Sequence, residues 1–131
     1  MVKLIHTICM QLLRLRGRKV CDKVIANGNV WKGKTMTVRW LPGAPPLEPK
    51  NRHGLYMGTL ASTRLNKSAV KRNRMRRRCK EAFRLTIKNA AEKDSPQKES
   101  FQLLVSPRSA TLSCAFADIQ MDVRRFLSSL R

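Results

Sequence analysis

A chain of 131 residues has room for a hydrophobic core, and 42% hydrophobic content is that of an ordinary globular protein, which excludes global disorder. Charge is the outlier. Twenty-eight Lys and Arg against eight Asp and Glu leave a formal +20, a self-repulsion that a polyanion would relieve. Nucleic acid is the leading partner and an anionic membrane surface the second; no run approaches the roughly 20 apolar residues of a membrane span.

The opening "MVKLIHTICMQLL" is apolar but broken by Lys3 and His6, and no small-residue cleavage site follows, so it does not read as a signal peptide. Residues 1–13 are expected to be an extension that frays or packs loosely, ahead of one domain over 14–131. From Leu15 to Asn27, the residues Val20, Cys21, Val24 and Ile25 fall at helical spacing, and Gly28 stands where a helix would stop. Arg14, Arg16, Arg18 and Lys19 crowd the start of this segment, where the helix dipole disfavours cations. An external anion would correct that misfit.

"KTMTVRWLP" (34–42) sets Met36, Val38 and Trp40 against Thr35, Thr37 and Arg39, the alternation of a strand. The proline-rich loop "PGAPPLEPKNRHG" leads to a second strand over 55–62, and the two strands are expected to form a hairpin. After a basic block comes the helix-forming "CKEAFRLTIKNAAEK", then a polar break over 93–100. A third strand, "FQLLVSP" (101–107), would place Phe101, Leu103 and Val105 on one face. Ser113 reads as the N-cap of a last helix with the stripe Phe116, Ile119, Val123, Phe126, Leu127 and Leu130. The order α-β-β-α-β-α, without repeats, predicts a small α+β domain. Cys9, Cys21, Cys79 and Cys114 lie far apart without a C-x-x-C pair, and read as reduced cysteines of a cytoplasmic protein rather than a zinc site or a disulfide framework.

The basic block carries the most information. Nine basic residues and no acidic one lie between Arg64 and Lys80. On a helix, Met75, Cys79, Ala82, Phe83, Thr86 and Ala90 gather into one inward stripe, while Asn73, Arg77, Lys80 and Arg84 form the opposite ridge. Arg74 and Arg78 flank the stripe on one side, Arg72 and Arg76 on the other. A disordered basic tail would not keep that register. The pairs Lys67/Lys71, Arg72/Arg76, Arg74/Arg78, Arg76/Lys80 and Lys80/Arg84 are like charges at i,i+4. Together they cost the isolated helix roughly 1–2.5 kcal/mol, offset only by Glu81. Phosphates along the ridge would reverse the sign, and the excess of Arg over Lys suits bidentate phosphate contact. Asn73 is a mediocre helix former; it would either hydrogen-bond RNA or orient a neighbouring arginine.

Arg72-Asn73-Arg74, preceded by "STRLNKSAVK" and followed by "MRRRCKEAFR", resembles the signature helix of the bacterial ribonuclease P protein subunit. The similarity runs from about Leu15 to Leu130. It implies a small α/β sandwich with the basic helix in a left-handed β-α-β crossover, against the common right-handed rule. It also implies that the RNA subunit is the catalyst, using Mg²⁺ to remove the 5′ leader of precursor tRNA, while the protein, one per RNA, binds both. Lys67, Lys71, Arg72, Asn73, Arg74, Arg76, Arg77, Arg78 and Lys80 would contact the ribonuclease P RNA. Arg18, Cys21, Ile25, Arg39 and Trp40 would line the cleft for the single-stranded leader. Cys21 and Ile25 stand where the family usually places aromatics on the first helix, and Arg39 where a strand aromatic is usual, although Trp31 and Trp40 lie close by. Since stacking is worth about 1–3 kcal/mol per base, this cleft would grip more by charge than by stacking.

Four rival readings can be weighed. A protein-borne nuclease needs clustered carboxylates or a histidine base. His6 and His53 sit in an end and a loop, and Asp118 and Asp122 read as the solvated side of the last helix. A basic-zipper reader needs leucine heptads that are missing before Pro96. A membrane-surface helix needs an apolar face that is here committed to the core. The serious alternative is a structural RNA-binding protein of ribosomal type, which the charge and size suit equally.

Overall fold

A computed structural model describes residues 12–46, 54–90 and 100–130. They form β1 (Leu12–Arg14), α1 (Arg18–Asn27), β2 (Asn29–Lys32), β3 (Met36–Pro42), β4 (Leu55–Thr59), α2 (Ala69–Ala90), β5 (Phe101–Pro107), a 3-10 turn (Ser109–Leu112) and α3 (Phe116–Ser129). The α+β class and the three expected helices and three expected strands are present, joined by the two short strands β1 and β2. Leu12 and Leu13, assigned by sequence to the extension, belong to β1. The rest of that extension with His6 and Cys9, together with His53 and residues 93–99 of the polar break, lies outside the described residues.

The sheet order is β1-β4-β5-β3-β2. β1 runs parallel to β4, with Leu12, Leu13 and Arg14 opposite Leu55, Tyr56 and Met57. The expected hairpin is therefore wrong: β5 lies between β3 and β4. The long loop after β3 is not one of the short turns that would fix a hairpin register, and β5 is the strand that suits the centre. Every residue from Phe101 to Val105 is buried, so both of its faces are covered rather than the single face that alternation suggested.

Contacts divide the described chain into two units. The first holds α1, the end of β3 from Arg39, most of β4, and β5 as far as Leu104. Its core joins Leu15, Val24, Tyr56 and Leu104, flanked by Leu13, Val20, Cys21 and Leu41. Of the helical stripe expected in α1, Val24 alone is fully buried, and Ile25 is 44% exposed. Gly28 ends α1 in an extended conformation with φ −73°, not the left-handed one usual for a stopping glycine. Close approach explains it. A Cβ there would stand 2.3 Å from the Val24 carbonyl oxygen and 3.2–3.3 Å from the backbone of Trp40.

The second unit holds β2 from Val30, β3 as far as Val38, α2 as far as Thr86, the end of β5 and α3. Its aromatic centre is Phe126, which meets Trp31 and Phe83 edge-to-face at 5.7 and 6.2 Å. Ile119, Val123 and Phe126 of the expected α3 stripe are buried. Two expectations for α3 fail. Ser113 is not its N-cap: the helix starts at Phe116 after Ala115, and the Ser113 N–H closes the 3-10 turn on the Ala110 carbonyl. Asp118, in the first turn, supplies the charge that favours that helix end. Asp122 is not on a solvated side but 2% exposed. Its Oδ2 accepts from the Thr35 N–H at 2.7 Å and the Thr35 hydroxyl at 2.6 Å, which is what makes a buried carboxylate tolerable.

Candidate nucleic-acid interface

α2 begins where its local sequence says it should. Asn66 Oδ1 accepts from the Ser68 N–H at 2.9 Å, and Ser68 Oγ accepts from the Lys71 N–H at 3.3 Å, an Asx turn running into a serine cap. From there Met75, Cys79, Ala82 and Phe83 are wholly buried and Thr86 nearly so, the stripe read from the sequence. Burial pushes the Cys79 thiol up to about 12, with Cys114 and Asp122 adding to the rise and Arg78 opposing it. Cys21, Cys79 and Cys114 are free thiols.

Asn73, Arg77, Lys80 and Arg84 are exposed together, as are Lys71 and Arg74. The side chains of Lys71, Arg74, Arg77 and Lys80 have no partner among the described residues. Arg84 does: it donates to both carboxylate oxygens of Glu81, at 2.5 and 3.1 Å. That hydrogen bond holds the Glu81 carboxyl below the usual carboxylate range. Lys67 is also exposed but precedes the helix. The candidate contacts thus form a line of cations with unused donors, ending at a neutralised pair.

Arg72, Arg76 and Arg78 are only half-exposed, and their guanidinium groups are engaged. Arg72 Nη1 donates to the carbonyls of Asn66 (2.9 Å) and Lys67 (3.1 Å). Arg76 donates through Nη1 to Asn73 Oδ1 (2.5 Å) and through Nη2 to the Ala61 carbonyl (3.3 Å). Arg78 donates to the carbonyls of Thr111 (2.6 Å) and Cys114 (2.7 Å). Asn73 therefore uses its acceptor on an arginine and leaves its amide donors outward. These carbonyl partners carry no sequence signature, so the sequence could not separate the two sets of arginines.

In the first unit, Arg18 is exposed at the start of α1, and Arg39 is half-buried on β3. Cys21 packs against the apolar cluster, whereas Ile25 faces outward. Trp40 is half-buried and meets Phe101 edge-to-face at 5.8 Å, so part of its ring is committed to packing. Among the described residues no three His, Cys, Asp or Glu come together as metal ligands, and no helix is long and apolar enough to cross a membrane.

The family model for ribonuclease P matches residues 10–131. The chain belongs to the ribonuclease P protein family. It is accordingly a protein subunit of ribonuclease P, an RNA-binding component of tRNA processing, and the ribosomal-type alternative is not favoured. Solved structures share the fold. The RNase P protein of Staphylococcus aureus matches with a TM-score of 0.61 at 16% identity, covering 92% of this chain and 97% of that one. The RNase P protein of Thermotoga maritima matches with a TM-score of 0.67 at 17% identity, covering 90% and 97%. No curated protein matches in sequence.

Proposed function

We propose that the open line of α2 docks this subunit on the RNA of ribonuclease P, one protein per RNA, through Lys71, Asn73, Arg74, Arg77 and Lys80, with Lys67 just ahead of the helix. Four cations whose side chains have no partner among the described residues, on one core-anchored helix, carry the reading. Phosphates in register along them would remove the like-charge repulsion that destabilises the free helix. The 5′ leader of precursor tRNA would lie against α1 and β3, met by Arg18, Arg39, the outward Ile25 and the open part of Trp40. Catalysis would belong to the RNA partner and its Mg²⁺, with the protein supplying affinity and neutralisation in the cytoplasm.

The test adds the protein to a bacterial ribonuclease P RNA at low Mg²⁺ and follows cleavage of a leader-bearing precursor tRNA. Stimulated cleavage is expected. Binding should fall with salt with a log–log slope of about −3.5 to −4.5, corresponding to about five phosphate contacts, one for each cation of the line. No stimulation, or a slope near −1, would overturn the docking line.

A further inference from the structure

The arginines of α2 differ in what their guanidinium groups already hold. Arg74 and Arg77 are exposed and without a partner among the described residues, while Arg72, Arg76 and Arg78 reach sideways along the two edges of the buried stripe to main-chain carbonyls. We propose that Arg72, Arg76 and Arg78 are positioning residues that fasten the turns beside α2, and that phosphate contact falls to Lys71, Arg74, Arg77 and Lys80. This rests on the reading that α2 docks on RNA.

Arg78 makes the case most sharply. Its two terminal nitrogens reach separate carbonyls three residues apart, those of Thr111 and Cys114. Thr111 is fully buried and belongs to the 3-10 turn, whose carbonyls a regular helix does not satisfy. The same stretch is tied to β3, since the Arg108 N–H donates to the Thr35 carbonyl at 2.8 Å. Turning Arg78 outward to a phosphate would leave both carbonyls without that donor, one of them at a buried residue. On the other edge, Arg72 holds the carbonyls of Asn66 and Lys67, the turn from which α2 departs. Arg76 links Ala61 to Asn73, and so sets the orientation of the one neutral polar side chain on the ridge.

The side-chain type agrees. A planar fork can span two carbonyls, whereas lysine is a single point of charge. Replacement by lysine therefore separates the roles: it preserves attraction to a phosphate and breaks a two-carbonyl clamp.

The first measurement is amide hydrogen exchange in the free, full-length protein, where no RNA contributes. Arg78→Lys should speed exchange across residues 111–114 by about tenfold, while Arg77→Gln leaves it unchanged. Unchanged protection in Arg78→Lys would overturn the proposal. The second is affinity for a bacterial ribonuclease P RNA against salt. Arg77→Gln should flatten the log–log slope by about 0.7–0.9, the loss of one phosphate. Arg78→Lys should weaken binding with the slope unchanged. Restoration of full affinity by Arg78→Lys, alongside a flattened slope in Arg78→Gln, would also overturn it. If Arg77→Gln leaves the slope unchanged while Arg78→Lys still loosens the turn, the docking line fails and the clamp stands as structure alone.

Discussion

α1 and α2 are both basic helices without an acidic residue in the first turn, yet they are held in different ways. α1 is ten residues long, buries Val24 alone, and starts at a glycine with no side-chain cap. α2 is 22 residues long and rests on a continuous row from Met75 to Ile87; it is capped by Ser68 and tied sideways by three arginines. Density of positive charge is thus a poor guide to what a basic helix is built to do. A firmly seated helix keeps its cations at fixed spacing, which suits a partner of fixed shape such as a folded RNA. A lightly seated one suits a strand that brings its own flexibility.

The comparison can be broken at four places. The largest effect is expected in the seats. Met75→Ala should destabilise the protein by about 2–5 kcal/mol in chemical denaturation, and Ile25→Ala should stay within about 0.5 kcal/mol. Equal losses would erase the distinction.

The cysteines, one on each helix, come next. The native Cys79 thiol is raised to about 12 from its ordinary 9.0, so between those values the unfolded chain gives up its proton while the folded one keeps it. Its contribution is complete below about pH 9, and stability then falls by up to about 1.4 kcal/mol per pH unit as alkali is added. Denaturation of Cys79→Ala at pH 8 and pH 10.5 should show that component gone. Cys21 is also raised, by burial and then by Asp22, but it is half-buried and should be alkylated in the native protein while Cys79 is spared.

Ser68→Ala should cost about 1 kcal/mol through the lost cap, a device that α1 lacks. The smallest effect has the opposite sign. Arg74→Ala, which removes the like-charge neighbour of Arg78, should stabilise the free protein by about 0.2–0.5 kcal/mol while weakening its hold on RNA. A destabilised Arg74→Ala would mean that this arginine, too, is structural.

Local pattern was enough for α2 and α3, because a helix that buries one face writes its period into neighbouring residues, as Met75, Cys79 and Phe83 show. Partners distant in the chain were not readable. β5 separates β3 from β4 because of what it buries, not because of any turn residue. Asp122 looked solvated beside Asp118, since its partner Thr35 lies 87 positions away. Strands of three and four residues, β1 and β2, are too short to show alternation. In the candidate interface, the exposed line was legible from spacing, but the division of the arginines was not. It depends on carbonyl groups that every residue possesses.

The outermost strands carry a consequence of their own. Among the described residues, β1 and β2 occupy the two borders of the sheet, and each ends in an exposed cation, Arg14 and Lys32. A foreign strand seeking to add itself there would find, among the described residues, three or four residues to pair with and a positive charge at the end of the row, and a second copy would bring another +20. Short, charged borders are how sheets resist edge-to-edge aggregation. Such borders would disfavour strand-to-strand pairing between copies of this subunit.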